Sequence, residues 1–207
     1  MGGRGAGASW GGGGGGSGAP IETTSLISQR ERKEAEVDSV LSTLRDVSDQ
    51  YGVTMNDVEV GVFPPGSSVM GYYDPSTGAL GVNGAFFDTQ KVNDAYDNCI
   101  AQQYHPARGS KSGMEALASH EAGHRLTYVA GEKNSMSGEA IADRVVEEAA
   151  KELGYKNSAR MAKQISGYAL TNKKEAIAEA FADVYCNGNN ARKESRAIVK
   201  KLNSYLR

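Results

Sequence analysis

The sequence predicts an α+β fold in which one helix and a small antiparallel sheet precede a bundle of helices. Apolar and polar residues alternate over residues 58–62, which is typical of a strand with one buried face, and two further short runs separated by a turn extend to residue 87. After residue 88, apolar residues recur every three or four positions, as in helices that bury one side. The length of 207 residues suits one domain with a single core.

The N-terminal segment, residues 1–24, is expected to be a disordered, glycine-rich arm, and residues 25–207 are expected to form the folded domain. Eleven of the 26 glycines lie within the first 18 residues. Glycine loses more conformational entropy on ordering than any other residue. Trp10 is the only aromatic side chain in this segment whose burial could offset that loss.

The first helix and the sheet follow in order. Apolar residues at helical spacing predict a helix between Ser28 and Tyr51, which Gly52 would end. The alternating run 58–62 predicts a strand. Two further runs, 68–73 and 79–87, flank the turn sequence Asp74-Pro75-Ser76-Thr77-Gly78 and predict a hairpin. Helical patterns then cover residues 89–103, 112–130, 138–153, 158–167, 172–186 and 190–205.

Composition excludes several classes of function. The net charge is only −2, which argues against nucleic-acid binding, because such domains usually carry a basic face. No stretch approaches the roughly 18 apolar residues of a membrane span, and the first 30 residues lack the apolar part of a secretory signal peptide. Cys99 and Cys186 lack the spacing of a zinc site. We therefore expect an intracellular protein without a membrane or nucleic-acid partner.

The segment His120-Glu121-Ala122-Gly123-His124 carries the clearest chemical signal. Positions i and i+4 lie on one face of a helix, so both imidazoles can reach a single metal ion. Zinc suits neutral imidazole, and Glu121 can act as the base for a metal-activated water. The alternative is a pair of surface histidines beside a solvated glutamate. A third ligand decides between them, since a catalytic zinc usually has three protein ligands.

The third ligand is expected on a later helix. A metzincin would need glycine at 127 and histidine at 130, where this chain has Thr127 and Ala130. Three acids instead follow one face of the predicted helix 172–186, and like charges stacked there repel unless a cation or hydrogen-bond donors offset them. They are Glu175, Glu179 and Asp183. A solvated stripe, or a capping box between Asn172 and Glu175, is the alternative interpretation.

Tyr168, seven residues before Glu175, makes this region resemble the active-site segment of the anthrax lethal factor type of zincin metallopeptidase, which includes the Pro-Pro endopeptidases. The resemblance covers roughly residues 55–190 in layout, but only 120–124 and 168–183 in motif. It implies a zincin-like α+β fold, in which one helix carries the HExxH motif and a later helix carries a glutamate ligand.

The resemblance also implies roles for individual residues. Three ligands would hold one Zn²⁺ ion per chain: His120, His124 and Glu175. Glu121 would be the general base and Tyr168 a hydrogen-bond donor to the developing oxyanion, while Glu179 would orient a histidine from behind. The alternative for Tyr168 is a packed residue near a helix end.

A second resemblance concerns the origin of the chain. The start MGGRG and the segment 179–191 are similar to proteins of phages and prophages of Gram-positive bacteria, where such domains occur in head-morphogenesis or minor structural proteins. This implies a location in the cytoplasm of a bacterial host or in the virion. It also implies phage structural proteins as partners.

The leading hypothesis is a zinc-dependent endopeptidase that hydrolyses a peptide bond in a protein or peptide substrate. The alternatives are a phage structural or interaction protein that keeps a zincin fold without turnover, and a toxin with one host target. Residues 79–83 are the best candidate for a free sheet edge that aligns the substrate, and an ordinary hairpin strand is the alternative. His105, which precedes Pro106 in a loop, is expected to be a surface residue outside the site.

Overall fold

The computed structural model describes residues 19–55 and 58–207, and it confirms the α+β class. Its regular elements are four strands and seven helices within these ranges. In chain order they are β1 (Glu22–Ser25), α1 (Glu34–Tyr51), β2 (Val58–Val62), β3 (Gly71–Tyr73), β4 (Leu80–Asn83), α2 (Thr89–Ala101), α3 (Gly113–Lys133), α4 (Gly138–Glu152), α5 (Ser158–Ala162), α6 (Lys173–Asn187) and α7 (Lys193–Leu206).

Most of the predicted disordered arm, residues 1–18, lies outside the described residues. The end of that segment contributes β1, which pairs antiparallel with β2 from Glu22 opposite Val62 to Ser25 opposite Glu59. Strand β1 therefore spans the boundary predicted between residues 24 and 25.

The sheet is mixed, so the prediction of an antiparallel sheet was wrong. The strand order is β1-β2-β4-β3, and β4 runs parallel to β2. The predicted hairpin is confirmed, because β3 and β4 pair antiparallel on either side of the turn at 74–78. All four residues of β4 are buried, which suits an interior strand covered on both faces. The sequence prediction paired the strands in chain order, so it did not place β4 between β2 and β3.

The interior position of β4 also overturns the prediction that residues 79–83 form the free edge. In the part of the chain that the structure describes, the edge strands are β1 and β3. Strand β3 lies directly against α3. A Cβ atom at Gly71 would lie 2.7 Å from Cδ1 of Leu117 and 2.8 Å from Oε1 of Glu121. A larger residue at position 71 would force the ends of the Leu117 and Glu121 side chains to move.

The helix ends largely follow the local sequence signals. Gly52 caps α1 in the left-handed conformation, with φ of 62°. Ser112 and Glu115 form a reciprocal capping box at the start of α3. The helix predicted over 158–167 ends at Ala162; residues 163–166 continue in turns with local backbone hydrogen bonds, and the backbone N–H of Gly167 donates to the distant carbonyl of Gln103. No helix in the ranges 19–55 and 58–207 is both long and apolar enough to cross a membrane.

Helices α3 and α6 pack against each other in the centre of the domain. A Cβ atom at Gly123 would lie only 2.9 Å from the Cα atom of Ala178, so the two helix backbones nearly touch. Leu117, Leu126 and Ile177 are fully buried around this contact. The packing thus places the HExxH segment beside the acidic face of α6, as the metal hypothesis requires.

Candidate metal centre

Three side chains predicted as metal ligands lie together between α3 and α6. The Nε2 atoms of His120 and His124 are 3.1 Å apart. Oε2 of Glu175 lies 3.2 Å from Nε2 of His120 and 3.3 Å from Nε2 of His124. All three residues are buried, so neither imidazole is a surface residue. The alternative interpretation of surface histidines is therefore wrong.

The spacing of these three atoms fits a metal ion. Ligand bonds of roughly 2.0–2.1 Å in a tetrahedral site place ligand atoms about 3.3 Å from one another. The measured triangle has sides of 3.1, 3.2 and 3.3 Å. Two imidazole nitrogens and one carboxylate oxygen also form a donor set typical of catalytic zinc. This group could hold a metal ion.

The charges of the His120, His124 and Glu175 side chains depend on one another, and the Glu175 carboxylate is ionised beside the two histidines. Burial alone would raise the pKa of Glu175, but attraction to His124 and hydrogen bonds from both imidazoles outweigh it and lower the pKa to about 2. Burial acts to lower the pKa of His120, yet hydrogen bonds to Glu175 and Glu179 raise it to about 9. Burial lowers the pKa of His124. Protonated His120 therefore supplies the positive charge when no cation is bound.

Zinc binding should release a proton from this site. The pKa of His120 is about 9, so its imidazole is protonated at pH 6.5 and must lose a proton before Nε2 can bind a metal. Burial lowers the pKa of His124, so this imidazole contributes less to the release than His120 does. We expect release of about one proton per zinc at pH 6.5, with the contribution of His120 vanishing as the pH rises past its pKa. Titration calorimetry in buffers of different ionisation enthalpy measures this number, and binding without proton release at pH 6.5 would contradict it.

Glu179 lies behind His120, where the family resemblance implies an orienting carboxylate. Its Oε1 atom is 2.9 Å from Nδ1 of His120. Burial would raise the pKa of Glu179, but attraction to His105 and hydrogen bonds from both histidines lower it to about 2. An ionised carboxylate can only accept, so Nδ1 of His120 carries the hydrogen and Nε2 is left facing the other ligands.

The acidic face of α6 is not a solvated stripe, and that interpretation is wrong: Glu175, Glu179 and Asp183 are all buried. Asp183 has a structural role, because its Oδ2 atom accepts hydrogen bonds from Ser195 Oγ at 2.6 Å and from the backbone N–H of Arg192 at 3.0 Å. Asn172 caps α6 through the backbone N–H of Glu175. The Glu175 carboxylate contacts the histidines, so its side chain serves the site.

Glu121, the predicted general base, is 2% exposed. Among the described residues, neither of its carboxyl oxygens has a hydrogen-bond partner. Burial and the charges of Glu175 and Glu179 outweigh attraction to His120 and raise the pKa of Glu121 well above the ordinary value. A buried carboxyl group without partners is costly, which is why such groups usually have a catalytic or ligand-binding reason to exist.

Tyr168 lies at the site, in a 3₁₀ turn over Tyr168–Leu170 just before α6. Its ring is 4% exposed and stacks on the ring of His120, with centroids 6.0 Å apart. The predicted contact between its hydroxyl group and a developing oxyanion stays a prediction.

His105 is the residue that the sequence prediction missed. It was expected at the surface, but it is 2% exposed and its Nδ1 atom lies 3.1 Å from both carboxylate oxygens of Glu179. The backbone N–H groups of Gly167 and Tyr168 donate to the carbonyls of Gln103 and Tyr104, which holds this loop against the site. Being one of only three histidines was its sole sequence signal.

The fold and the site together define an α+β protein with a buried His-His-Glu group. No protein-family model matches the chain, and no curated protein or solved structure matches it. The case for any particular class of enzyme therefore depends on the geometry of the site.

Proposed function

We propose that this protein is a zinc-dependent endopeptidase with a zincin-like fold. One observation carries the proposal: the three ligand atoms of His120, His124 and Glu175 lie 3.1, 3.2 and 3.3 Å apart. A metal held only for stability needs no base, whereas here the unpartnered carboxyl group of Glu121 follows the first histidine. The resemblance to the lethal factor type of zincin, in helix order and in Tyr168, supports the same conclusion.

Each residue of the site would have a separate role in hydrolysis. His120, His124 and Glu175 would hold the zinc ion, which when bound polarises a carbonyl group and makes water more acidic. Glu121, whose ionised form a cation held beside it would favour, would accept a proton from the attacking water and pass it to the leaving amine. Tyr168 donates a hydrogen bond where negative charge develops on the substrate oxygen, a contact of a kind worth roughly 10²–10³ in rate.

The substrate would lie along β3 instead of the predicted run 79–83. Strand β3 is a sheet edge, and Gly71 within it lies next to the Glu121 carboxyl group. A peptide added to this edge as an extra strand would pass in extended form beside the general base. Phage structural proteins are among the substrates and partners that we propose on the basis of sequence resemblance.

Cleavage of an unfolded protein mixture tests the function. The full chain, loaded with zinc, is incubated with reduced and alkylated proteins, and new N-termini are identified by mass spectrometry. We expect internal cleavages that disappear when the metal is chelated and return on adding zinc. A zinc-loaded chain that produces no new N-termini would contradict the endopeptidase proposal and favour a phage structural or interaction protein.

A further inference from the structure

The carboxylate of Glu179 is shared by three buried donors. Nδ1 of His120 donates to Oε1 at 2.9 Å, and the hydroxyl group of Ser166 donates to Oε2 at 2.7 Å. Nδ1 of His105 lies 3.1 Å from both oxygens. His105, Ser166 and Glu179 are respectively 2%, 4% and 0% exposed, so solvent cannot replace a lost donor at this position.

We propose that His105 is a positioning residue for the metal site. Its Nδ1–H group holds the Glu179 carboxylate in the orientation that keeps Nε2 of His120 directed at the other two ligands. This inference rests on the proposed function, because it assumes that His120 binds a metal.

The geometry assigns His105 a task that the other two donors do not perform. Nδ1 of His120 hydrogen-bonds to Oε1 and the Ser166 hydroxyl group hydrogen-bonds to Oε2. The terminal torsion of a glutamate side chain is broad, so a carboxylate held at its two ends can still rock about that bond. A third donor placed at equal distances from both oxygens opposes the rocking and adds a charge-assisted hydrogen bond.

The ring of His105 is itself firmly placed. It stacks on Tyr96 with centroids 5.3 Å apart and an angle of 23° between the planes. The rings of Tyr104 and Tyr168 meet it edge-on, at 5.1 and 5.4 Å. Tyr168 also stacks on His120. The imidazoles of His105 and His120 therefore both contact the Glu179 carboxylate, and both contact the ring of Tyr168.

Two substitutions distinguish the effect of the His105 Nδ1–H hydrogen bond from the effect of packing by the His105 ring. H105F keeps an aromatic ring against Tyr96 but removes the donor, whereas H105N keeps an N–H donor near the position of Nδ1 and removes the ring. Zinc affinity is measured by competition with a chromophoric chelator. We expect H105F to weaken zinc binding by about 10–100-fold, the usual effect of losing a partner behind a metal-bound histidine. We expect H105N to restore most of that loss.

Tyr155→Phe is the matched control. The Tyr155 hydroxyl group donates at 2.6 Å to Glu194, another buried carboxylate, on α7. Losing a donor to that carboxylate should leave zinc affinity unchanged. If H105F binds zinc as tightly as the wild type, or if H105N loses as much affinity as H105F, the positioning role is wrong.

Nuclear magnetic resonance of the wild-type chain gives a test that needs no variant. Nitrogen-proton correlation spectra should show hydrogen on Nδ1 of both His105 and His120 in the zinc-loaded protein, protected from exchange. A His105 ring without hydrogen on Nδ1 overturns the positioning role, while zinc binding remains intact. A wild-type chain that binds no zinc overturns the proposed function itself, so the two failures are distinct.

Discussion

Replacing Glu121 with glutamine should lower the rate of peptide-bond cleavage by about 10²–10⁴-fold while leaving zinc affinity unchanged. Glutamine has almost the same shape, so the close fit of this side chain under Gly71 is retained. It cannot accept a proton from water, which removes the general base. Zinc affinity should be preserved because Glu121 is not among the proposed ligands, which are His120, His124 and Glu175. Initial rates on a peptide that the wild type cleaves, together with bound zinc, measure both effects.

The matched control for this prediction is Glu132→Gln, which makes the same change at an exposed position on α3. It should keep full activity and full zinc content. Wild-type turnover by E121Q would show that Glu121 is not the base. Loss of zinc from E121Q would show that its carboxylate belongs to the metal site, and the assignment of ligands would need revision.

Replacing Glu175 with glutamine should weaken zinc binding by at least about 100-fold, more than the loss of a residue behind a ligand. Glu175 is the only one of the three proposed ligands that carries negative charge, and its pKa of about 2 keeps it ionised at neutral pH. A neutral amide cannot offset the charge of a buried cation. Chelator competition and the metal content after dialysis measure the loss.

Glu194→Gln is the control for Glu175. Glu194 is also buried, at 5% exposure against 4% for Glu175, but it lies on α7 and accepts from Tyr155. Its replacement should leave zinc binding unchanged, even where it lowers the stability of the fold. Equal zinc affinity of E175Q and the wild type would mean that the third ligand is a different residue.

The metal group could be predicted because its signals are local. The four-residue spacing of His120 and His124 fixes their common face once α3 forms, and the same spacing joins Glu175 to Glu179. Helix ends were also encoded nearby, as at Gly52 and Asn172. The remaining assumption was that the two helices meet, and the close approach of Gly123 to Ala178 makes this contact.

The features that sequence analysis missed depend on contacts between distant segments. Strand β4 enters between β2 and β3, and an alternating pattern gives the buried face of a strand but not its neighbours. His105 is buried because its loop pairs with residues 167–168, far along the chain. Its neighbours in sequence, Tyr104 and Pro106, gave no indication of that pairing.

The central claim is that α3 and α6 together form one zinc site, and metal content tests it most directly. The full chain is purified without an affinity tag, dialysed against metal-free buffer and analysed by plasma mass spectrometry beside E175Q. The account predicts one zinc per chain in the wild type and little or none in E175Q. A wild-type chain that retains no zinc, or an E175Q chain that retains as much as the wild type, would contradict it.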